Sequence, residues 1–224
     1  MLALGASAPG LADDRVVSVA GLCEVRVTPD RGSVELSMEK TAPSVAAAVA
    51  EVTKRIDAAR AEVKKLNLAN LELQTSQFQV NERRDWENQK HVFKGYSATM
   101  GLTVSTSDVP RLGDVLGMAS KLGLNGSGGL RTYLSNEKQQ SEYLRCLDLA
   151  TVDARKKAER LVSKLGAKLG ALESIIEGPR QDASPPPNAR MEMAMSKASA
   201  DSGPTIDVGQ QTLSTSIRVT FGLK

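Results

Sequence analysis

An α+β fold, with a largely antiparallel sheet and three helices packed against it, is predicted by three features of this 224-residue sequence. Stretches that alternate apolar and polar residues occur in adjacent pairs, as hairpin strands do. Three other segments repeat apolar residues every three or four positions, the period of an amphipathic helix. The resulting order, ββ-α-ββ-α-β-α-β-β, mixes hairpins with helices instead of repeating βαβ units. The core must be aliphatic, because one Trp, three Tyr and three Phe are the only aromatic residues.

Residues 15–28 alternate clearly, with Val17, Val19, Cys23, Val25 and Val27 on one face. Pro29-Asp30-Arg31-Gly32 breaks the run and residues 33–41 resume it, which predicts two antiparallel strands joined by a turn. Gly21 inside the first strand marks a bulge or a close backbone approach. Ser44 is placed to N-cap a helix whose stripe runs Val45, Val49, Val52, Ile56, Ala59, Val63, Leu66. Its valines and alanines suit one face laid on a sheet better than a coiled-coil seam. Residues 72–86 and 91–106 read as a long hairpin, and a sub-division of the domain would fall near this 72–106 segment. Asp108 is the expected cap of the next helix, with Pro110 in its first turn and Leu112, Val115, Leu116, Ala119 and Leu122 on one face. A glycine-rich connector at 123–129 leads to a short strand at 130–134. Ser135 or Asn136 then caps the longest helix, 138–165, with the stripe Leu144, Leu147, Thr151, Ala154, Ala158, Leu161, Leu165 and Gly166 as its stop. A strand at 169–177, a proline-bearing mobile loop at 178–204 and an alternating strand at 213–221 complete the chain.

With 29 basic and 26 acidic residues of interleaved sign, the chain generates no strong field for nucleic acid or an anionic membrane. No run approaches the ~18 apolar residues of a membrane-spanning helix. Residues 1–14 carry small, uncharged residues ending in Gly10-Leu11-Ala12. They read as a secretory signal remnant, or else as a disordered tail, before a domain at 15–224. The only cysteines are Cys23 and Cys146. A disulfide would need their α-carbons within about 7 Å, which sequence does not show, and two separate buried thiols are the expectation.

Several of these pieces, in this order, resemble the SIMPL-domain family. They are VSVAGLCEVRVTPDRGSVEL with Val19, Gly21, Val25, Pro29 and Asp30; Leu73-Gln74-Thr75-Ser76 with Phe78; Gly95-Tyr96-Ser97-Ala98 with Leu102-Thr103-Val104; Leu112-Gly113-Asp114-Val115-Leu116; and Asp153-Ala154 with Ala158-Glu159 through Leu165-Gly166. The methionine- and proline-containing loop before the last strand is similar too. Leu22-Cys23 departs from the family pattern, where small and polar residues are usual. The family's bacterial members include periplasmic immunogenic proteins. The resemblance implies export to the periplasm, with outer-membrane association left open, homo-oligomers, envelope protein partners and a link to envelope or oxidative stress. It brings no catalytic residues with it.

The residues themselves offer little chemistry. His91 is the single histidine and lies beside the hairpin turn, where exposure is expected. Gly126-Ser127-Gly128 follows a helix and precedes a strand, the reverse of a nucleophile elbow, and the 123–129 glycines fail as a phosphate loop for the same reason. The pairs Glu35 with Glu39 and Glu24 with Glu35 sit among lysines and arginines, as solvated faces do. Trp86, Phe93 and Tyr96 are expected to form a small aromatic cluster that packs strands or docks a neighbouring subunit. Met191-Glu192-Met193-Ala194-Met195 sets three thioethers in one segment, suited to Cu(I) or to sacrificial oxidation. No catalytic residue, metal ligand or cofactor is assigned. The reading is a non-enzymatic, oligomeric envelope scaffold or interaction protein; the alternative is a soft-metal or oxidant-scavenging stress protein using Met191, Met193 and Met195.

Overall fold

The computed structural model describes residues 15–87, 89–179, 181–184 and 206–224. Residues 1–14, Met191, Met193, Met195 and most of the predicted loop 178–204 lie outside the described residues. In chain order the elements are β1 (Val16–Val27), β2 (Arg31–Ala42), α1 (Val45–Lys65), β3 (Glu72–Glu87), β4 (Lys90–Thr106), a 3-10 turn (Val109–Arg111), α2 (Leu112–Lys121), β5 (Gly126–Tyr133), α3 (Asn136–Lys164), β6 (Leu169–Glu177), β7 (Gln181–Ser184) and β8 (Gln211–Leu223). The fold is α+β, as the sequence predicts. Among the described residues its strands form two antiparallel sheets, ordered β1-β8-β6 with β7 also on β8, and β3-β4-β2-β5. The short strand β7 occupies the start of the predicted loop.

β1 and β2 alternate as a hairpin should, yet they are not partners: β1 pairs with β8, and β2 lies between β4 and β5. The turn between them shows why. The Asp30 carboxylate accepts hydrogen bonds from the Ser135 backbone N–H (2.8 Å) and hydroxyl (2.7 Å), so the turn is held by the start of α3. Val34, Leu36 and Met38 then find their ladder on β4, in the register Val34↔Val104, Leu36↔Leu102, Met38↔Met100.

The chain forms two compact units. One comprises Arg26–Gln139 with Pro185–Gln211, as far as described. Its core joins Val34, Leu36, Leu102 and Val104 of the sheet to Val52, Ile56 and Val63 of α1 and Leu112, Val115 and Ala119 of α2. Ser44 caps α1 as expected, its hydroxyl accepting from the Ala47 N–H at 3.2 Å. Asp108 does not cap with its side chain. That carboxylate accepts instead from the Ala69 N–H (2.7 Å), while Thr106 donates to the Ala69 carbonyl, so both brace the entry to β3. Of the glycines expected as a connector, Gly126, Gly128 and Gly129 belong to β5, while Gly123 lies in the turn after α2. A Cβ added at Gly126 would lie 2.0 Å from the Ser37 hydroxyl, so this glycine serves close strand approach.

The other unit comprises Met1–Val25, described from Arg15, with Gln140–Ser184 and Thr212–Lys224. Its core sets Tyr143, Cys146, Ala150, Ala154 and Ala158 of α3 against Val19 and Cys23 of β1 and Leu213, Ile217, Val219 and Phe221 of β8. The predicted α3 stripe holds in part: Ala154 and Ala158 are buried and Leu147 packs against the core, whereas Leu144, Leu161 and Leu165 are 50%, 51% and 84% exposed. Small residues define the contact because the helix lies directly on β1. A Cβ at Gly21 would meet the Ala150 carbonyl at 2.0 Å and the Ala154 Cβ at 2.8 Å. Gly166 (φ +73°) ends α3 in the left-handed conformation that favours glycine.

Candidate functional site

The helix-on-strand contact at Gly21 decides the fate of the cysteines. With α3 seated there, the α-carbons of Cys23 and Cys146 stand 5.5 Å apart and the two residues form a disulfide. The expectation of two separate thiols is therefore corrected. Parity placed Cys23 inward, but nothing in the sequence indicated how closely the helix approaches the strand. Both residues are buried, Cys146 completely, and the bond links positions 123 apart in sequence.

Beside the disulfide, α3 also covers the outer edge of β1. Asp153 accepts from the Leu22 N–H at 2.8 Å, and Lys157 donates to the Ala20 carbonyl at 3.1 Å. The two side chains pair with each other at 2.7 Å. Lys157 first, and the Leu22 N–H second, hold the Asp153 carboxyl below the ordinary carboxylate range. An edge strand otherwise exposes such backbone groups to pairing, and here one i,i+4 ion pair satisfies two of them. This arrangement went unread in the sequence, although Asp-x-x-x-Lys is the helical ion-pair spacing. A shallow groove of about 480 Å³ alongside is lined by Ser18, Val19, Ala20, Lys157, Arg160, Leu161 and Lys164.

In the larger unit a polar groove of about 530 Å³ contains Asp30, Arg31, Asn70, Glu72, Tyr133 and Ser135. Burial tends to raise the Asp30 carboxyl, but the backbone and side-chain hydrogen bonds from Ser135 outweigh it, with Lys138 helping, and hold it low. Arg31 pairs with Glu72 and bonds Tyr133, which together outweigh burial and raise its pKa. Asp30 is thus taken up by Ser135 and Arg31 by Glu72 and Tyr133, so the groove reads as a brace between β2, β3 and the start of α3.

The predicted acidic pairs do not converge. Glu35 accepts from the Ser76 hydroxyl and Glu39 from the Ser97 hydroxyl, while Glu24 lies on β1, which does not pair with β2. Ser127 stands in β5 opposite Leu36, inside a ladder and not on a turn. Among the described residues, no group of three His, Cys, Asp or Glu side chains could hold a metal ion.

The most unusual surface is the far end of the β3–β4 hairpin. β2 accompanies β4 only as far as Ala42↔Tyr96. Beyond Gly95 (φ +116°), where β4 carries the extra residue Lys94, β3 is its one partner among the described residues. The resulting two-stranded arm, 81–87 with 90–94, exposes Trp86 (65%) and Phe93 (47%). The expected aromatic cluster divides into two edge-to-face pairs, Trp86 with His91 at 4.7 Å and Phe93 with Tyr96 at 5.5 Å. His91 is exposed, as expected, and packs on the indole. Ion pairs Arg84–Glu82 (2.9 Å), Arg83–Asp85 (3.4 Å) and Lys94–Glu87 (2.7 Å) decorate the arm. Such exposed pairs stabilise by well under ~1 kcal/mol each, and an isolated two-stranded ribbon is marginal in water.

The sequence model of the SIMPL family, described as a protein of unknown function (DUF541), matches residues 17–221. The 26 kDa periplasmic immunogenic proteins of Brucella melitensis biotype 1 and Brucella abortus strain S19 are each 28% identical over 167 residues, 72% of this chain and 66% of theirs. The chain thus spans slightly less than two thirds of the length of these curated relatives.

Proposed function

The chain belongs to the SIMPL family, and from that membership we propose that it is an exported envelope protein that works by self-association and partner binding instead of catalysis. The observation that carries this reading is the β3–β4 arm, a ribbon that has no third strand among the described residues and holds Trp86 and Phe93 in solvent. Exposed aromatics on a marginal ribbon gain most when a second surface covers them. Export is supported by the buried Cys23–Cys146 disulfide, since such bonds persist in oxidising compartments and are rare in the reducing cytosol. The two Brucella relatives carry the word periplasmic in their names. No described helix is long and apolar enough to cross a membrane. The link to envelope or oxidative stress rests on the family resemblance alone.

Light scattering coupled to size-exclusion chromatography tests the reading. An oligomer is expected, and a strictly monomeric species at high concentration removes the scaffold. The soft-metal alternative is favoured by the Met191-x-Met193-x-Met195 pattern. It is decided by Cu(I) titration of the wild type against a variant with all three changed to leucine: a large drop in affinity would establish it, and equal affinity would dismiss it.

A further inference from the structure

We infer that the open edge of β3 pairs antiparallel with the same edge of a second copy of this chain, about a two-fold axis at Arg83. The inference rests on the proposed self-association and names the surface that performs it.

Among the described residues β3 ends its sheet, with β4 as its one neighbour there, and it is exposed along nearly its whole length. Its own extra residue is Ser76, since Thr75 pairs with Leu102 and Gln77 with Gly101; from Gln77 to Glu87 it runs without another. The irregularity between Arg83 and Arg84 belongs to β4. That leaves a regular free edge of eleven residues, 77–87.

Symmetry restricts how two such edges can join. A two-fold axis normal to a sheet keeps every side chain on its own face, and opposed residues of an antiparallel pair share a face. The axis must therefore pass through a residue and never between residues. With the axis at Arg83, one face sets Glu82 against the second copy's Arg84 and Val80 against its Trp86, each contact made twice. The other face sets Asn81 against Asp85, again twice, and Arg83 against its own copy with the second copy's Asp85 on the diagonal. An axis at Glu82 opposes two glutamates and sets Val80 against Arg84. An axis at Arg84 also opposes two arginines and pairs Arg83 with Asp85 twice, but it sets Glu82 against Trp86. Charges on an edge strand ordinarily discourage pairing; here they disfavour the axis at Glu82, which opposes no acid with a base, and the apolar Val80–Trp86 contact favours Arg83 over Arg84.

Two measurements test the inference on the full, oxidised chain. The first is the self-association constant by sedimentation. Glu82→Arg and Arg84→Glu are each expected to weaken association at least tenfold, and the double exchange to restore it to within about threefold. Both residues lie on the exposed arm, and circular dichroism checks that each variant is folded. The second is crosslinking. Cysteine at the axis, Arg83→Cys, should join two copies through a disulfide under mild oxidation, whereas Glu87→Cys, which faces Gln79 of the second copy, should not. If the wild type associates but the reversals do not weaken it, or the double exchange does not rescue, or Arg83→Cys fails to crosslink, this surface is wrong while self-association stands. A monomeric wild type overturns the broader reading itself.

Discussion

Changing Cys23 and Cys146 together to alanine removes a covalent link between β1 and α3. The bond joins positions 123 apart, so in the unfolded chain it closes a loop of about that length. In the chain-entropy account, releasing a loop of that size destabilises the native state by about 5 kcal/mol. Residual compactness of the unfolded chain brings the expected loss down to roughly 2–5 kcal/mol. Cys146 is completely buried, and alanine there adds a small packing cost of the same sign. The assay is urea unfolding of three samples: oxidised wild type, wild type reduced with excess thiol, and the double variant. Because the chain has two compact units, the transition should be followed by a probe of the smaller one, such as Tyr143 fluorescence in a background with Trp86, Tyr96 and Tyr133 changed to phenylalanine. Reduced wild type and double variant should unfold at similar, lower urea concentrations than the oxidised protein. Coincidence of all three curves, or two titratable thiols in the oxidised, denatured protein, would refute the reasoning.

Other perturbations of the same unit and of the Asp30 turn have equally definite outcomes. Gly21→Ala would set a Cβ 2.0 Å from the Ala150 carbonyl; lifting the helix should cost on the order of 3 kcal/mol, read as a lower Tm, and an unchanged Tm would mean α3 does not lie on β1. Thr215 is 4% exposed with its Oγ1 unpartnered among the described residues, so Thr215→Val should raise stability by about 1 kcal/mol, whereas a loss in urea titration would reveal a partner for the hydroxyl. The Asp30 and Asp153 carboxyls are both held low, so their contribution is fully present above the unfolded pKa near ~4 and disappears as pH falls through the lowered folded values. Asp30→Asn and Asp153→Asn should each flatten the acid limb of stability against pH, and a limb as steep as the wild type's would show that the group does not contribute.

The elements whose partners are set by local pattern were legible in the sequence, and those whose partners are set by distant geometry were not. Val52, Ile56, Ala59 and Val63 of α1 are buried as their spacing predicts, because a helix on a broad sheet buries whichever stripe is most apolar. The β3–β4 hairpin follows from two runs and a polar turn. The α3 face follows from apolar spacing only in part: Ala154 and Ala158 lie in the expected stripe, but Cys146 and Ala150 are buried in preference to Leu144 and Leu161 because Gly21 lets the helix backbone approach the strand. That approach also forms the disulfide and brings Asp153 and Lys157 onto the edge of β1. Each was readable only as a separate hint: a glycine in a strand, two lone cysteines, an i,i+4 ion pair. The β1–β2 hairpin failed for the opposite reason, since alternation states that a segment is a strand and leaves its neighbour open.

The two edge strands β1 and β3 show how one chain could keep one edge closed and use another. Side chains from α3 satisfy backbone groups at Leu22 and Ala20, so a strand added there would have to displace an ion pair already bonded to the edge. β3 carries its charges on its own residues, Glu82, Arg83, Arg84 and Asp85, which pair along the strand, and no described residue covers its backbone edge. A covered edge rejects every partner alike. An edge bearing alternating charges rejects partners according to register, and so can select one. If association is driven by that selection, it should weaken with added salt, because the opposed Glu–Arg contacts would lie at the solvent-exposed rim of the pair. An association that strengthens with salt would place the energy in the aromatic contacts and make the charges incidental.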